Sequence, residues 1–314
     1  MDPAYSIIVF TTASGAGYGL LVLVSLLAIV GALPPTTGLG LAALGAAAAL
    51  ISAGLSSSAL HLGRPERALG AFSQWRSSWL AREGVAAIAT LAPLGLFGIG
   101  WVFFNDVGGF FAWMAAACAL LALLTVSCTA MIYASLKPIQ RWRNGFVLPG
   151  YLALSLYSGS LLLVLLTRAF GVYRPAFGVL AVILLSVAWT IKWGCWRHID
   201  ATPAQISLGA ASGLSRLGEV RLLEAPHTEA NFVMREMGYA IALAHARKLR
   251  VVAHVALFLA PLALLGVVAA GSPVLARLAA LLAVLSAALG VGVERWLFFA
   301  EAQHVSMVFY DRAG

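Results

Sequence analysis

The stretch FFAWMAAACALLALLTVSCTAMIYASL, residues 110–136, carries no charged side chain in 27 positions. A helix rises about 1.5 Å per residue and the hydrocarbon core of a bilayer is about 30 Å thick, so roughly 20 such residues cross it once. The run is continuous and lacks the ten-residue in–out alternation of a membrane barrel strand. In lipid the backbone must satisfy its own hydrogen bonds, which leaves a helix as the reading.

Outward from it, seven more segments of the same kind follow. The eight run roughly over 6–31, 38–60, 81–104, 110–136, 146–167, 175–195, 251–270 and 274–300. The whole chain is 61% hydrophobic and 10% charged, against about 25% charged for an average soluble domain. The expectation is an all-α polytopic membrane protein, one bundle of eight transmembrane helices over residues 1–314, with no soluble domain and no nucleic-acid partner. Gly15, Gly17 and Gly19, and the alanines between 42 and 49, are small residues that let helices approach closely. The opening Met1-Asp2-Pro3-Ala4-Tyr5 has no basic n-region, so the first segment is expected to be retained as a helix. Cys118, Cys128 and Cys195 fall in apolar stretches without metal-ligand spacing. They read as structural thiols, and no metal or iron–sulfur cluster is expected on this chain.

With eight crossings both termini share a side. All but Arg168, Arg174 and Arg277 of the 20 Lys and Arg residues then fall on that side. The positive-inside rule makes it cytoplasmic. Lys192 is counted there with the connection between the sixth and seventh segments, roughly 196–250. That connection is long and mixes charge with apolar residues, and 229–250 fits an amphipathic helix along the membrane surface. A loop of this length in a compact bundle usually covers a site or docks a partner.

The densest polar cluster lies between the second and third segments: Ser56-Ser57-Ser58-Ala59-Leu60-His61-Leu62-Gly63-Arg64-Pro65-Glu66-Arg67, then Trp75-Arg76-Ser77-Ser78-Trp79-Leu80-Ala81-Arg82-Glu83. His61 ends one helix and Glu83 opens the next, so the two can face each other across a hairpin. Histidine titrates near neutral pH, and a carboxylate at the edge of hydrocarbon is costly to ionise. Such a pair suits an exchange of protons with a redox carrier. The same residues also serve as plain structure, with Glu83 at a helix N-terminus, Ser77 or Ser78 as its cap and the arginines in headgroups. Spacing alone does not choose between these readings. A second cluster, Glu294, Arg295 and His304, closes the last segment, where charges are expensive unless paired or wet. His61, His254 and His304 all map to one end of the bundle, yet no helix carries two histidines at haem-stacking spacing, which argues against haem.

The HLGRPERAL stretch, the AREGV start of the next helix, the ER-W-LFF-AEAQH ending and the eight-helix count resemble the membrane anchor of the dimethyl sulfoxide reductase family, the DmsC type. The resemblance implies a bacterial inner-membrane subunit that reacts with a quinone, ubiquinone or menaquinone. It also implies an iron–sulfur electron-transfer subunit and a molybdopterin catalytic subunit as partners, which alone hold those cofactors. Carried over residue by residue, His61, Gly63, Arg67 and Glu83 are the quinone-site positions. The arginines Arg64, Arg76 and Arg235, on the same face, are expected to dock the iron–sulfur subunit. In the sulfoxide reductases that face of the anchor points outward, whereas the charge distribution here puts it in the cytoplasm. The opening DPAYS and the PHTEANFVMREMGY loop look like the branch serving cytoplasmic quinone-dependent sulfite dehydrogenase. The alternatives are an anchor that oxidises quinol for a sulfoxide-type reductase and a purely structural anchor. A transporter is disfavoured because no segment is expected to carry an ionisable residue near its centre.

Overall fold

The computed structural model describes residues 3–59, 68–202, 207–221, 223–224 and 241–309. Among them no strand occurs, and eight helices are long and apolar enough to cross a membrane. These are α1 (Tyr5–Ile29), α2 (Thr37–Ala59), α3 (Trp79–Phe104), α4 (Gly109–Ala134), α5 (Val147–Ala169), α6 (Pro175–Ala201), α7 (241–270) and α8 (Pro273–Ala300).

The first helix is the hub, packing on α2, α4, α5 and α8. Its small residues make this possible. A Cβ on Gly19 would land on the backbone carbonyl of Ser155 in α5, and one on Gly159 would land on the backbone of Gly19 and Leu20. The two helices therefore cross backbone to backbone, and the Ser155 hydroxyl donates to the Gly15 carbonyl at 2.5 Å. With lipid as apolar as leucine, such close van der Waals contact and interhelical hydrogen bonding hold a bundle together. The outer faces of the helices carry exposed hydrocarbon, among it Leu91, Leu120, Val179 and Leu289.

Helix ends follow local chemistry. Ser78 caps α3, its hydroxyl accepting from the Ala81 amide at 3.4 Å. At the other end Asn105 takes the left-handed conformation, φ 50°, and stops the helix. Proline opens α6 and α8 at a position where its missing N–H is no loss.

The seventh helix is continuous but not regular. It comprises an α-helical part Ile241–His254, a π turn Val255–Leu259 and a second α-helical part Ala260–Ala270. A π turn frees carbonyls from their usual partners. Here the Tyr157 hydroxyl donates to the Leu257 carbonyl at 2.7 Å and the Ser286 hydroxyl to that of Ala256 at 2.8 Å.

Two sequence expectations change. The connection expected over 196–250 is shorter, because α6 runs on to Ala201 and α7 has begun by Ile241. Residues 241–250 of the expected surface helix belong to the helix that enters the spanning segment, and 229–240 lie outside the described residues. Lys192, counted with the loop, sits 9 residues inside the end of α6 and is buried. Its carboxylate partner on α8, described below, is what makes that depth tolerable.

Candidate functional site

Glu83 is the fifth residue of α3 and is 4% exposed. The capped start of α3 aims it inward, while its neighbour Arg82 turns outward. Arg82 binds the backbone carbonyls of Trp75 (2.9 Å) and Arg76 (2.6 Å) and lies over the Trp79 ring. This ties the segment before α3 to the helix and leaves Glu83 to the bundle interior.

The Thr129 hydroxyl of α4 meets Glu83 Oε1, and the same oxygen lies 3.1 Å from the Thr125 carbonyl. A hydroxyl has one proton to donate. When Glu83 is ionised, Thr129 donates to it. When Glu83 is protonated, the carboxyl donates to Thr129, whose own proton turns to Thr125. Both states of the carboxyl are satisfied without moving the backbone, which is the arrangement wanted of a group that takes up and gives back a proton.

Around this pair stand the tyrosines Tyr18 of α1, Tyr133 of α4 and Tyr151 of α5, all within electrostatic reach of Glu83. Tyr133 joins Trp142, Tyr151, Phe298 and Phe299 in a packed aromatic cluster with ring centroids 5.2–6.0 Å apart. The Arg295 guanidinium lies on the Tyr151 ring, 3.7 Å from its centroid. A water-sized cavity is lined by Thr12, Tyr18, Thr129, Tyr151 and Arg295 among others, so Glu83's partner and the α8 cluster share one space. Glu83 and Arg295, far apart in the sequence, thus belong to one region of the fold.

The α8 cluster is itself paired. Glu294, 1% exposed, meets Lys192 of α6, and its other oxygen lies 3.4 Å from Arg295 Nε. Toward the helix ends, Arg250 of α7 grips Asp200 (2.7 and 2.8 Å) and Glu301 (3.1 and 3.0 Å), each with two bonds. Arg141 donates to the Glu301 backbone carbonyl at 2.9 Å, and the Trp142 indole to that of Phe298 at 2.8 Å. Planar forks of this kind fix geometry as well as charge.

Other candidates fall elsewhere. His304 is partly buried with Nδ1 2.7 Å from the Ser306 hydroxyl. His254 accepts at Nδ1 from the Trp189 indole at 3.1 Å, between aromatic rings. Arg76 is exposed beside Trp75. His61, Gly63, Arg64, Arg67 and Arg235 lie outside the described residues. The three cysteines are free and buried. Among the described residues no three His, Cys, Asp or Glu side chains converge as a metal site.

The sequence reading missed Thr129, Tyr18, Tyr151 and Lys192. Only Lys192 carried a signal, as a lone charge within reach of an apolar run. The others are ordinary residues of membrane helices until the helices are packed. An apolar cleft of about 340 Å³ adjoins the polar cavity, lined by Ile8, Val9, Leu50, Leu161 and Val284 and sharing Thr12 and Ser158 with it.

The family model described as DMSO reductase anchor subunit (DmsC) matches residues 1–301. A sulfite dehydrogenase subunit of Allochromatium vinosum is 32% identical to this chain, with 99% of each chain covered.

Proposed function

Because the chain belongs to the DMSO reductase anchor subunit family, we propose that it holds a molybdopterin oxidoreductase to the membrane and exchanges protons with a quinone at Glu83. The observation that carries this is Glu83 itself, an almost fully buried carboxyl with a hydroxyl partner that serves both its protonation states. The residues fit a quinone: proton-carrying groups stand at one end of the bundle, and an apolar cleft of a volume common for ligand pockets adjoins them for a hydrocarbon tail. When bound, the quinone accepts or gives up two electrons and two protons, the protons at its two carbonyl oxygens.

Glu83 would hold one of these protons, with Thr129 keeping its carboxyl oriented. His61 is the proposed second proton group, with Gly63 and Arg67 on the same hairpin. Arg250 and Arg141 fasten the ends of α6, α7 and α8, which keeps the α8 side of the site in place. The likeness to a sulfite dehydrogenase subunit supports sulfite oxidation with quinone as the acceptor. In that reading the partners are an iron–sulfur subunit and a molybdopterin subunit, docked at Arg64, Arg76 and Arg235. The excess of Lys and Arg at this end supports a cytoplasmic face and a bacterial inner membrane.

In the assembled complex, Glu83→Gln and His61→Ala should each lower quinone-coupled turnover by about 10² to 10⁴. The catalytic subunits should still copurify and reduce an artificial acceptor. Full quinone-coupled rates in both variants would place the site elsewhere. Joint charge reversal at Arg64, Arg76 and Arg235 should release the soluble subunits at moderate salt. A fluorescent reporter fused at Gly314 should glow in the cytoplasm, and an active periplasmic phosphatase at that end would reverse the orientation.

A further inference from the structure

Several buried polar atoms make no hydrogen bond among the described residues, and most of them gather in one place: Thr12 Oγ1, Tyr18 OH, Tyr151 OH, and Arg295 Nε and Glu294 Oε2, which face each other at 3.4 Å as an ion pair without hydrogen-bond alignment. They line two small cavities in series. The first is bounded by Thr12, Tyr18, Thr129, Tyr151 and Arg295. The second lies across Tyr151 and Arg295 and is bounded by Lys192, Cys195 and Glu294. Each leaves about 20 Å³ open to the centre of a water molecule.

An unsatisfied buried polar atom costs about 1–3 kcal/mol, and proteins settle such atoms with ordered water. One water needs roughly 10–15 Å³ of this kind of space and two to four polar partners. Both conditions are met in both cavities. The space is far below the roughly 300 Å³ at which ligand pockets begin, so a quinone ring does not enter. Tyr18, Tyr151, Glu294 and Arg295 are each 5% exposed or less, so bulk solvent does not serve them directly.

We infer that one water in each cavity completes a hydrogen-bonded relay from Glu83 through Thr129 and Tyr151 to the Glu294–Lys192 pair, along which Glu83 is reprotonated or relieved of its proton. The groups facing it are Tyr18 from α1, Thr129 and Tyr133 from α4, Tyr151 from α5, Lys192 from α6 and Arg295 with Glu294 from α8. With both waters in place, each hop passes a proton along the hydrogen bonds they complete, from oxygen to oxygen and, at the far end, between Lys192 Nζ and Glu294 Oε1, so charge moves while the waters stay in place. Arg295 keeps its own protons throughout and serves as a fixed donor that orients both waters. The relay rests on the reading of Glu83 as the group that exchanges protons with quinone. It adds that Glu83 exchanges its proton with the interior Glu294–Lys192 pair.

The test uses the intact complex in lipid nanodiscs. A cryo-electron microscopy map detailed enough to show water should place one within hydrogen-bonding distance of Tyr151 OH and Arg295 Nε, and another beside Glu294 Oε2. Dry cavities overturn the proposal. The double variant Tyr18→Phe with Tyr151→Phe, which removes two hydroxyls and little volume, should slow quinone-coupled turnover about tenfold or more, with a larger solvent deuterium isotope effect and an unchanged KM for quinone. Wild-type turnover and isotope effect in that variant, with Glu83→Gln inactive, overturn the relay and leave the quinone site standing. Full activity of Glu83→Gln would instead remove the quinone site, while the map still decides the hydration.

Discussion

The two ends of the bundle treat charge in opposite ways. Where α5 ends and α8 begins, cations serve the backbone. Arg168 donates to the Val268 carbonyl at 2.5 Å and lies 3.5 Å above the Tyr173 ring, and Arg277 Nε donates to the Arg168 carbonyl at 3.2 Å. The acid at that end, Asp106, accepts from the Gly108 amide. No cation–carboxylate pair forms there among the described residues. Where α3 begins and α8 ends, Lys192, Arg295, Arg250 and Arg141 all meet carboxylates, and Lys192 and Arg295 are buried within spanning helices.

Cations that cap carbonyls at a helix C-terminus finish the helix at little cost. Charges taken out of water lose several kcal/mol of solvation each, and a well-packed apolar replacement of such a pair is often as stable. The first end is built for folding. The second keeps an expensive arrangement that folding alone does not require, and the candidate site lies there.

The sharpest break of this contrast is Lys192→Ala. It leaves buried Glu294 with only Arg295 beside it and should destabilise the bundle by about 3 kcal/mol, read as a lower unfolding temperature in detergent. The triple change Lys192→Met, Glu294→Leu and Arg295→Met, which removes the whole buried charge cluster and leaves none of its members unpaired, should recover most of that loss while quinone-coupled activity stays impaired. Recovery of both would mean the cluster serves packing alone. Next in size is Gly159→Ala at the crossing of α1 and α5, expected to cost about 1–3 kcal/mol by overpacking. Gly15→Ala, where an added Cβ meets nothing within 4 Å, should be neutral or slightly stabilising. Equal losses at both positions would show that the crossing is looser than its geometry. Smallest is Arg168→Met at the other end, where an exchange of one cation–π contact and one cap should cost about 1 kcal/mol and leave turnover unchanged. A lost activity there would erase the distinction between the ends.

Much of the fold was legible because lipid imposes one rule on the whole chain: eight apolar runs became eight helices, most with ends within a few residues. The rule fails where a charge is neutralised inside the bundle. Lys192 looked like a loop residue because its partner Glu294 lies about 100 positions away, and no local pattern reports such a pairing. For the same reason α6 was read as ending early, and residues 241–250, rich in basic residues, were read as surface where they open α7. The candidate site divides likewise. Glu83, Glu294 and Arg295 were visible as charges at segment ends. Thr129, Tyr18 and Tyr151 were not, since a hydroxyl in a membrane helix acquires a role only from what is packed against it.

The π turn at Val255–Leu259 sets the phase between the two parts of α7. It amounts to a single extra residue in an otherwise regular helix, and one residue corresponds to about 100° of rotation. The chain before it, carrying Arg250, is thereby phased to face Asp200 and Glu301, while the chain after it, from Ala260, is phased separately to pack on α8. Shortening the π turn by one position would cost one apolar residue and no charge, yet point Arg250 roughly a quarter turn away from both carboxylates. In this helix spelling and phase are separate instructions, and an alignment gap here would say more about mechanism than many substitutions.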